Sequence, residues 1–358
     1  MIDPHVHLRD QGQRKAETIK HGLSVAKMCG ITHVFDMPNT YPEPVTSREV
    51  LKARFALADE ANVEGIEYHT FFGLTSDRLE VIRAVNIYND FFPKVVGLKL
   101  YMAPTTGNLA VENESDQRMI FEILNERDYK GVVAVHCEDR NYFDPSLYVL
   151  GQTETYSLSR PPISELKAIE RIINIAKETN FKGILHICHI STKDGIELVK
   201  KERKNIYITC GATPHHALLS SEDAKNREKF LKVNPPLRSI QDRDAVFNSL
   251  LDGTISWIES DHAPHTIYDK EFNDAAGLPG FAGYLYLIKK LRKASINQSI
   301  FDGLIAKNAA KTFGIKITDD DLQVPRSHIS ISRQAQNEYR YFPYELEEDI
   351  ETKTGDKK

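Results

Sequence analysis

His5 and His7, followed at once by Leu8-Arg9-Asp10, are the residues in this chain best placed to do chemistry. Side chains two apart on an extended strand point the same way, roughly 6.5–7 Å apart, so two imidazoles there can close on one metal ion. Arg9 falls on the same side. The pair alone is weak: with 13 histidines in 358 residues, about half a chance His-x-His is expected. Its weight depends on whether other ligands arrive from elsewhere in the chain. They do, at the ends of other strand-like runs: Asn39, Lys99, His136, His189 and Asp261.

The elements that must position these residues alternate in a long series. Strand-like apolar runs cover 2–7, 32–38, 67–74, 95–101, 132–136, 184–190, 206–210 and 255–260. Amphipathic stretches lie between them. Ala16, Ile19, Leu23 and Ala26 recur at helical spacing, with Gly30 placed to end the helix; Leu166, Ile169, Ile173 and Ala176 repeat the pattern, and 47–62 is a third case. Eight strands separated by helices predict an α/β fold, a (β/α)8 TIM-type barrel in which chemistry sits at the C-terminal strand ends. A doubly wound open sheet is the alternative, but no Gly-x-Gly-x-x-Gly follows the first strand.

Imidazole and carboxylate ligands with room for water suit Zn²⁺ or a similar divalent ion, and six candidates exceed one tetrahedral site, which suggests two ions. Lys99 sits between Leu98 and Leu100 in an apolar strand, where a lysine is costly without a partner. An ion pair to a mouth carboxylate would satisfy it. So would capture of CO₂, because a lysyl carbamate is an anion able to bridge two cations. His136 alone could be a core histidine, His189 competes with His186, and Asp261 could cap a helix.

Composition bounds the rest. Hydrophobic residues make up 41% and charged residues 27%, as in globular proteins. Lys+Arg 46 against Asp+Glu 51 gives a net charge of −5 without a basic cluster, so a nucleic-acid partner is not expected. No run approaches a membrane helix and no leader pattern precedes His5. Four cysteines lie well apart, which favours reduced thiols and a cytoplasmic location. Residues 1–314 are expected to form the catalytic barrel, 315–344 an extension packed on it, and 345–358 an acidic, flexible tail.

The motifs also resemble a known family. Asp3-Pro4-His5-Val6-His7-Leu8-Arg9-Asp10, Asp36-Met37-Pro38-Asn39-Thr40, Gly97-Leu98-Lys99-Leu100-Tyr101 and Val135-His136-Cys137-Glu138 come first. Cys188-His189-Ile190-Ser191-Thr192, Thr213-Pro214-His215-His216, Lys232-Val233-Asn234-Pro235-Pro236 and Ser260-Asp261-His262-Ala263-Pro264-His265 follow in order. Together they resemble the dihydroorotases, in the cyclic-amidohydrolase branch of the amidohydrolase superfamily, and the likeness extends to about residue 314. The resemblance implies two divalent ions, zinc by expectation: His5, His7 and Asp261 on one, His136 and His189 on the other, carbamylated Lys99 between them. It implies reversible cyclisation of N-carbamoyl-L-aspartate to L-dihydroorotate in pyrimidine synthesis, with a hydroxide shared by the cations as nucleophile and Asp261 as acid and base. Arg9, Asn39 and His265 would hold the substrate carboxylate, and Asn234 would contact the ring; the segment 103–108, just beyond Lys99, is either a lid that closes over substrate or an ordinary βα loop. Allantoinases, dihydropyrimidinases and an inactive partner subunit of a carbamoyltransferase are the rival readings. The expected partner is a small molecule, with at most a second copy of the chain in a homodimer. Many relatives carry a strand segment before the barrel that builds a small β-sandwich. That half is expected to be absent here: either the chain is a compact variant or its start is missing, in which case the first strand would fray.

Overall fold

The computed structural model describes residues 1–225, 228–341 and 343–344. Eight strands run in one order and all in parallel: β1 (Ile2–Val6), β2 (His33–Asp36), β3 (Glu67–Gly73), β4 (Val95–Tyr101), β5 (Val132–His136), β6 (Ile184–Ile187), β7 (Ile208–Ala212) and β8 (Trp257–Ile258). A parallel bridge from Val6 to His262, with the His7 amide donating to His262 O at 2.7 Å, brings the last strand round to the first. This is a nearly closed (β/α)8 barrel, as the alternation in the sequence requires.

Local chemistry explains the helix limits. Thr18 caps Ile19–Met28 by accepting from the His21 amide, and Gly30 turns the chain out at φ 79°. Ser47 caps Arg48–Ala61, which ends on Asn62 in the left-handed region. The long helices bury an apolar stripe; Ile169, Ile172, Ile173 and Ala176 of Pro162–Glu178 are buried in this way.

β2, at His33–Asp36, is shorter than the expected 32–38, and β6, β7 and β8 also differ from the sequence expectation; for β6 and β8 side-chain carboxylates are the reason. β6 stops at Ile187 and not at residue 190, because the His189 amide bonds to the Glu259 carboxylate and His189 sits at φ 37°. β8 is only two residues long, because the Ser260 amide bonds to Asp3 Oδ1 at 2.9 Å. Backbone donors that leave the ladder are thus still satisfied. β7 runs two residues further along the chain than expected. β1 does not fray: it is buried throughout and paired with β2.

Strand alternation stacks the barrel interior in layers. An aromatic layer joins Phe35, Phe71, Trp257 and Phe313, with ring centroids 4.9 Å apart for Phe35–Phe313 and 5.5 Å for Trp257–Phe313. Gly97 makes room for it: a Cβ there would lie 2.7 Å from Val132 O and 3.1 Å from Phe71. The four cysteines are free and buried. The helix His328–Asn337 packs on Phe281–Lys293, and Tyr339 donates to Glu17 at 2.7 Å. Among the described residues no helix is long and apolar enough to cross a membrane. The segment 345–358 lies outside the described residues.

Gly97→Ala is expected to destabilise the barrel by about 1–3 kcal/mol through overpacking. Urea denaturation reads this directly, and an unchanged midpoint would show that Phe71 and the Val132 backbone are free to yield.

Candidate active site

A cavity of about 230 Å³ opens at the C-terminal strand ends. His5, His7, Arg9, Asn39, His136, His189, Asn234, Asp261 and His265 all line it. Pro104, Thr105 and Thr106 of the segment after β4 form part of its wall. Lys99 is fully buried on β4, near enough for its charge to act on His5, His136 and His189.

Two of the imidazoles, His7 and His136, are oriented from behind. As placed, His7 Nδ1 donates to Asn39 Oδ1 at 2.8 Å, while Asn39 Nδ2 donates to Thr105 Oγ1 at 2.9 Å. His7 Nε2 therefore presents a lone pair to Asp261 Oδ1, 2.8 Å away, and His5 Nε2 lies 3.4 Å from the same oxygen. Lone pairs that converge on an anion call for a shared cation. His136 Nε2 donates to Glu138 Oε2 at 2.9 Å, so its Nδ1 is bare and faces His189 Nε2 at 3.1 Å. Glu138 is in turn paired with Arg160, whose Nε donates to it at 3.1 Å. A carboxylate or amide behind a ligating ring, as behind His7 and His136, is the arrangement that fixes tautomers in metal centres.

Electrostatics agree. Burial pushes the His5 ring down to about 4, helped by Lys99, and drives His189 well below its ordinary value. These rings are neutral and free to ligate near pH 7. Burial alone would raise Asp261, but the His7, His5 and His215 rings clustered around it hold its carboxyl below the usual range. Lys99 Nζ donates to Cys188 Sγ at 2.9 Å and sits 4.9 Å from the Tyr101 ring centre. Among the described residues no carboxylate comes within 4 Å of it, which disposes of the ion-pair explanation.

Tests of fit favour a divalent ion. His5, His7 and Asp261 offer ligand atoms within 4.8 Å of one another, and the buried Nδ1 atoms of His5 and His189 and the Tyr101 hydroxyl have no hydrogen-bond partner.

No protein-family profile matches the chain. It is 35% identical over 327 residues to the dihydroorotase of Thermococcus kodakarensis, covering 90% of this chain and 70% of that protein. It is 32% identical to the dihydroorotase of Lactobacillus gasseri, covering 88% and 73%. The chain belongs to the dihydroorotase family. Its fold is similar to that of the L-hydantoinase (dihydropyrimidinase) of Arthrobacter aurescens, with a TM-score of 0.78, 23% identity and coverage of 90% of this chain and 72% of that one.

For a dihydroorotase-family member, several of the residues that shape this site escaped sequence reasoning. Glu259, fully buried below the mouth, accepts from His186 Nε2 at 3.1 Å and Trp257 Nε1 at 3.2 Å, and lies 3.6 Å from His5 Nδ1. Gly211 lacks a side chain where that carboxylate lies: a Cβ there would collide with it. His186 thus occupies the layer beneath, its ring tilted 32° against Trp257 with centroids 4.5 Å apart, while His189 reaches the mouth. Tyr101 and Glu138 were visible only as parts of motifs. Asn39 has both amide atoms engaged within the protein, so its hydrogen bonds orient His7 in addition to any part in binding.

Asn39→Ala removes the acceptor behind His7. Zinc affinity is expected to fall by about 10–100-fold with the fold intact. A competition titration against a chromophoric chelator measures this; unchanged affinity would mean that His7 orients itself.

Proposed function

We infer that this chain is a dihydroorotase, a cyclic amidohydrolase that interconverts N-carbamoyl-L-aspartate and L-dihydroorotate in pyrimidine synthesis. The observation that carries the choice of substrate is Arg9. Its guanidinium is 5% exposed and lines the cavity, and no carboxylate among the described residues lies within 4 Å of it. Its bonds are to neutral acceptors, Pro264 O at 3.0 Å and His265 Nε2 at 3.1 Å. A buried, unpaired cation is costly unless an anion completes it. A ring carrying a carboxylate supplies that anion, and a neutral hydantoin or dihydrouracil does not. This separates the reading from the cyclic amidohydrolases that take neutral rings.

His5, His7 and Asp261 would hold one zinc ion, and His136 and His189 a second, with carbamylated Lys99 between them. Bound ions of this kind lower the pKa of water and polarise an amide carbonyl. The chain does the rest. Arg9 pairs with the substrate carboxylate through its planar fork, and His265 and Asn39 add hydrogen bonds when the substrate displaces their present contacts. Asn234, whose Oδ1 now accepts from Tyr156 at 2.8 Å, sits on the ring side of the cavity. In ring opening Asp261 takes the proton of the attacking water and returns it to the departing ring nitrogen. Its depressed pKa keeps it ready as the base. In ring closure it receives the ureido proton. Residues 103–108 close over the substrate as a lid, with Thr105 tied to Asn39. Residues 1–314 act as the catalytic barrel. A cytoplasmic location suits the four buried, unbridged thiols.

Zinc-supplemented protein is expected to open L-dihydroorotate, followed by loss of its ultraviolet absorbance, and to leave dihydrouracil and allantoin untouched. Turnover of a neutral ring instead would contradict the substrate assignment. Arg9→Ala should keep its metal and lower kcat/KM for dihydroorotate by roughly three orders of magnitude or more; near-normal activity would remove Arg9 from that role. Chelation should abolish turnover and added zinc restore it; activity that survives full removal of metal would contradict the metal-dependent reading.

A further inference from the structure

A second cluster of ligand-type residues lies at the other end of the barrel, below the aromatic layer, and has no part in the chemistry at the mouth. His33 comes from β2, and Glu67 and His69 from the neighbouring β3, where the register pairs His33 with Glu67 and Phe35 with His69. Alternation puts the three side chains on one face of the sheet. The two rings stack with centroids 5.6 Å apart, and His69 meets the edge of Phe35 at 5.2 Å.

Three ligand atoms converge. His33 Nδ1 lies 3.3 Å from His69 Nε2, and Glu67 Oε2 lies 3.7 Å from the first and 3.6 Å from the second. Zinc bonds of about 2.0–2.1 Å at tetrahedral angles set ligand atoms about 3.3–3.4 Å apart. The set therefore needs to tighten by only a few tenths of an ångström.

The hydrogen bonds behind the rings leave the same atoms bare. His69 Nδ1 donates to Pro93 O at 2.9 Å, so its Nε2 carries a lone pair toward His33. His33 Nε2 faces Asp321 Oδ1 at 3.4 Å, which calls for a proton on that nitrogen and leaves Nδ1 bare as well. Neutral His33 can protonate only one side. Without a cation it must leave either His69 or Asp321 facing another acceptor. A second proton on His33 or a bound cation would satisfy both, and Glu67, 3.7 Å and 3.6 Å from the two facing nitrogens, completes a ligand set for the cation.

We propose that His33, Glu67 and His69 form a separate metal site for one zinc-type divalent ion, with a water in the fourth position, at the barrel end remote from the catalytic mouth. The two buried histidines supply borderline nitrogen ligands, the Pro93 carbonyl and Asp321 fix their tautomers, and the largely exposed Glu67 is the entry from solvent. Its role is structural: the ion ties β2 to β3 and, through Asp321, holds the segment Asp319–Leu322 under the barrel.

The test is a zinc titration of chelator-stripped protein against a chromophoric competitor, with thermal melting alongside, on the full chain and on Glu67→Gln and His69→Gln. The unmodified chain is expected to take up one more zinc equivalent than either variant, or to hold that equivalent at least about tenfold more tightly. Turnover of the zinc-loaded variants should be unchanged. Equal stoichiometry and affinity in all three proteins would overturn the proposal and leave His33 as a buried imidazolium. Loss of turnover together with the extra zinc would place that zinc at the mouth, and would overturn it too. Should His69→Gln not fold, Glu67→Gln still decides the matter, because its side chain is mostly exposed. The zinc count reads this site whether or not the chain turns over dihydroorotate.

Discussion

The arrangement at the mouth rests on one constraint: neutral imidazoles, a lysine and an aspartate share a buried space in which bare lone pairs face one another. His7 Nε2 against Asp261 Oδ1 is a contact between acceptors, and the bare Nδ1 of His136 is turned toward His189 Nε2. In isolation a contact between acceptors costs on the order of 1–3 kcal/mol. The surrounding residues do not relieve it; they enforce it. Asn39 and Glu138 take the protons on the far sides of His7 and His136, and so direct the near sides inward. A cation among the lone pairs satisfies a site built in this way.

That constraint accounts for features that otherwise look like defects in the barrel. β6 and β8 end early because the amides of His189 and Ser260, two residues past each strand, bond to the carboxylates of Glu259 and Asp3. His189 and Asp261 then leave the strand geometry in left-handed conformations, which few non-glycine residues adopt without surrounding support. The carboxylates that shorten the strands are also those that lie beneath the ligands. Local strain and ligand placement thus have the same origin. Below them the interior changes character, from Glu259 and His186 through Trp257 to the phenylalanine layer, and the mouth is sealed from the opposite end by rings and not by polar groups.

The barrel was legible because period and length are local signals: eight short apolar runs, each followed by an amphipathic stretch, allow few topologies. The residues at the strand ends were legible for the same reason, since a histidine, lysine or aspartate closing an apolar run announces itself. What escaped was relational. Glu259 sits in a run read simply as strand, and nothing local shows that Gly211, one strand away, makes room for its carboxylate. Asn39 was read as a substrate contact because an amide at the mouth suits that role, whereas its placement behind His7 depends on a partner 32 residues away. The cluster of His33, Glu67 and His69 is split between two strands and carries no spacing motif, so only the register of β2 on β3 brings it together.

The most direct test of the central claim is X-ray diffraction from zinc-loaded crystals at the zinc absorption edge. The account predicts anomalous peaks beside His5, His7 and Asp261 and beside His136 and His189, with density for a carboxylated Lys99 reaching both. A mouth without anomalous density, its lysine a free amine still bonded to Cys188, would contradict it.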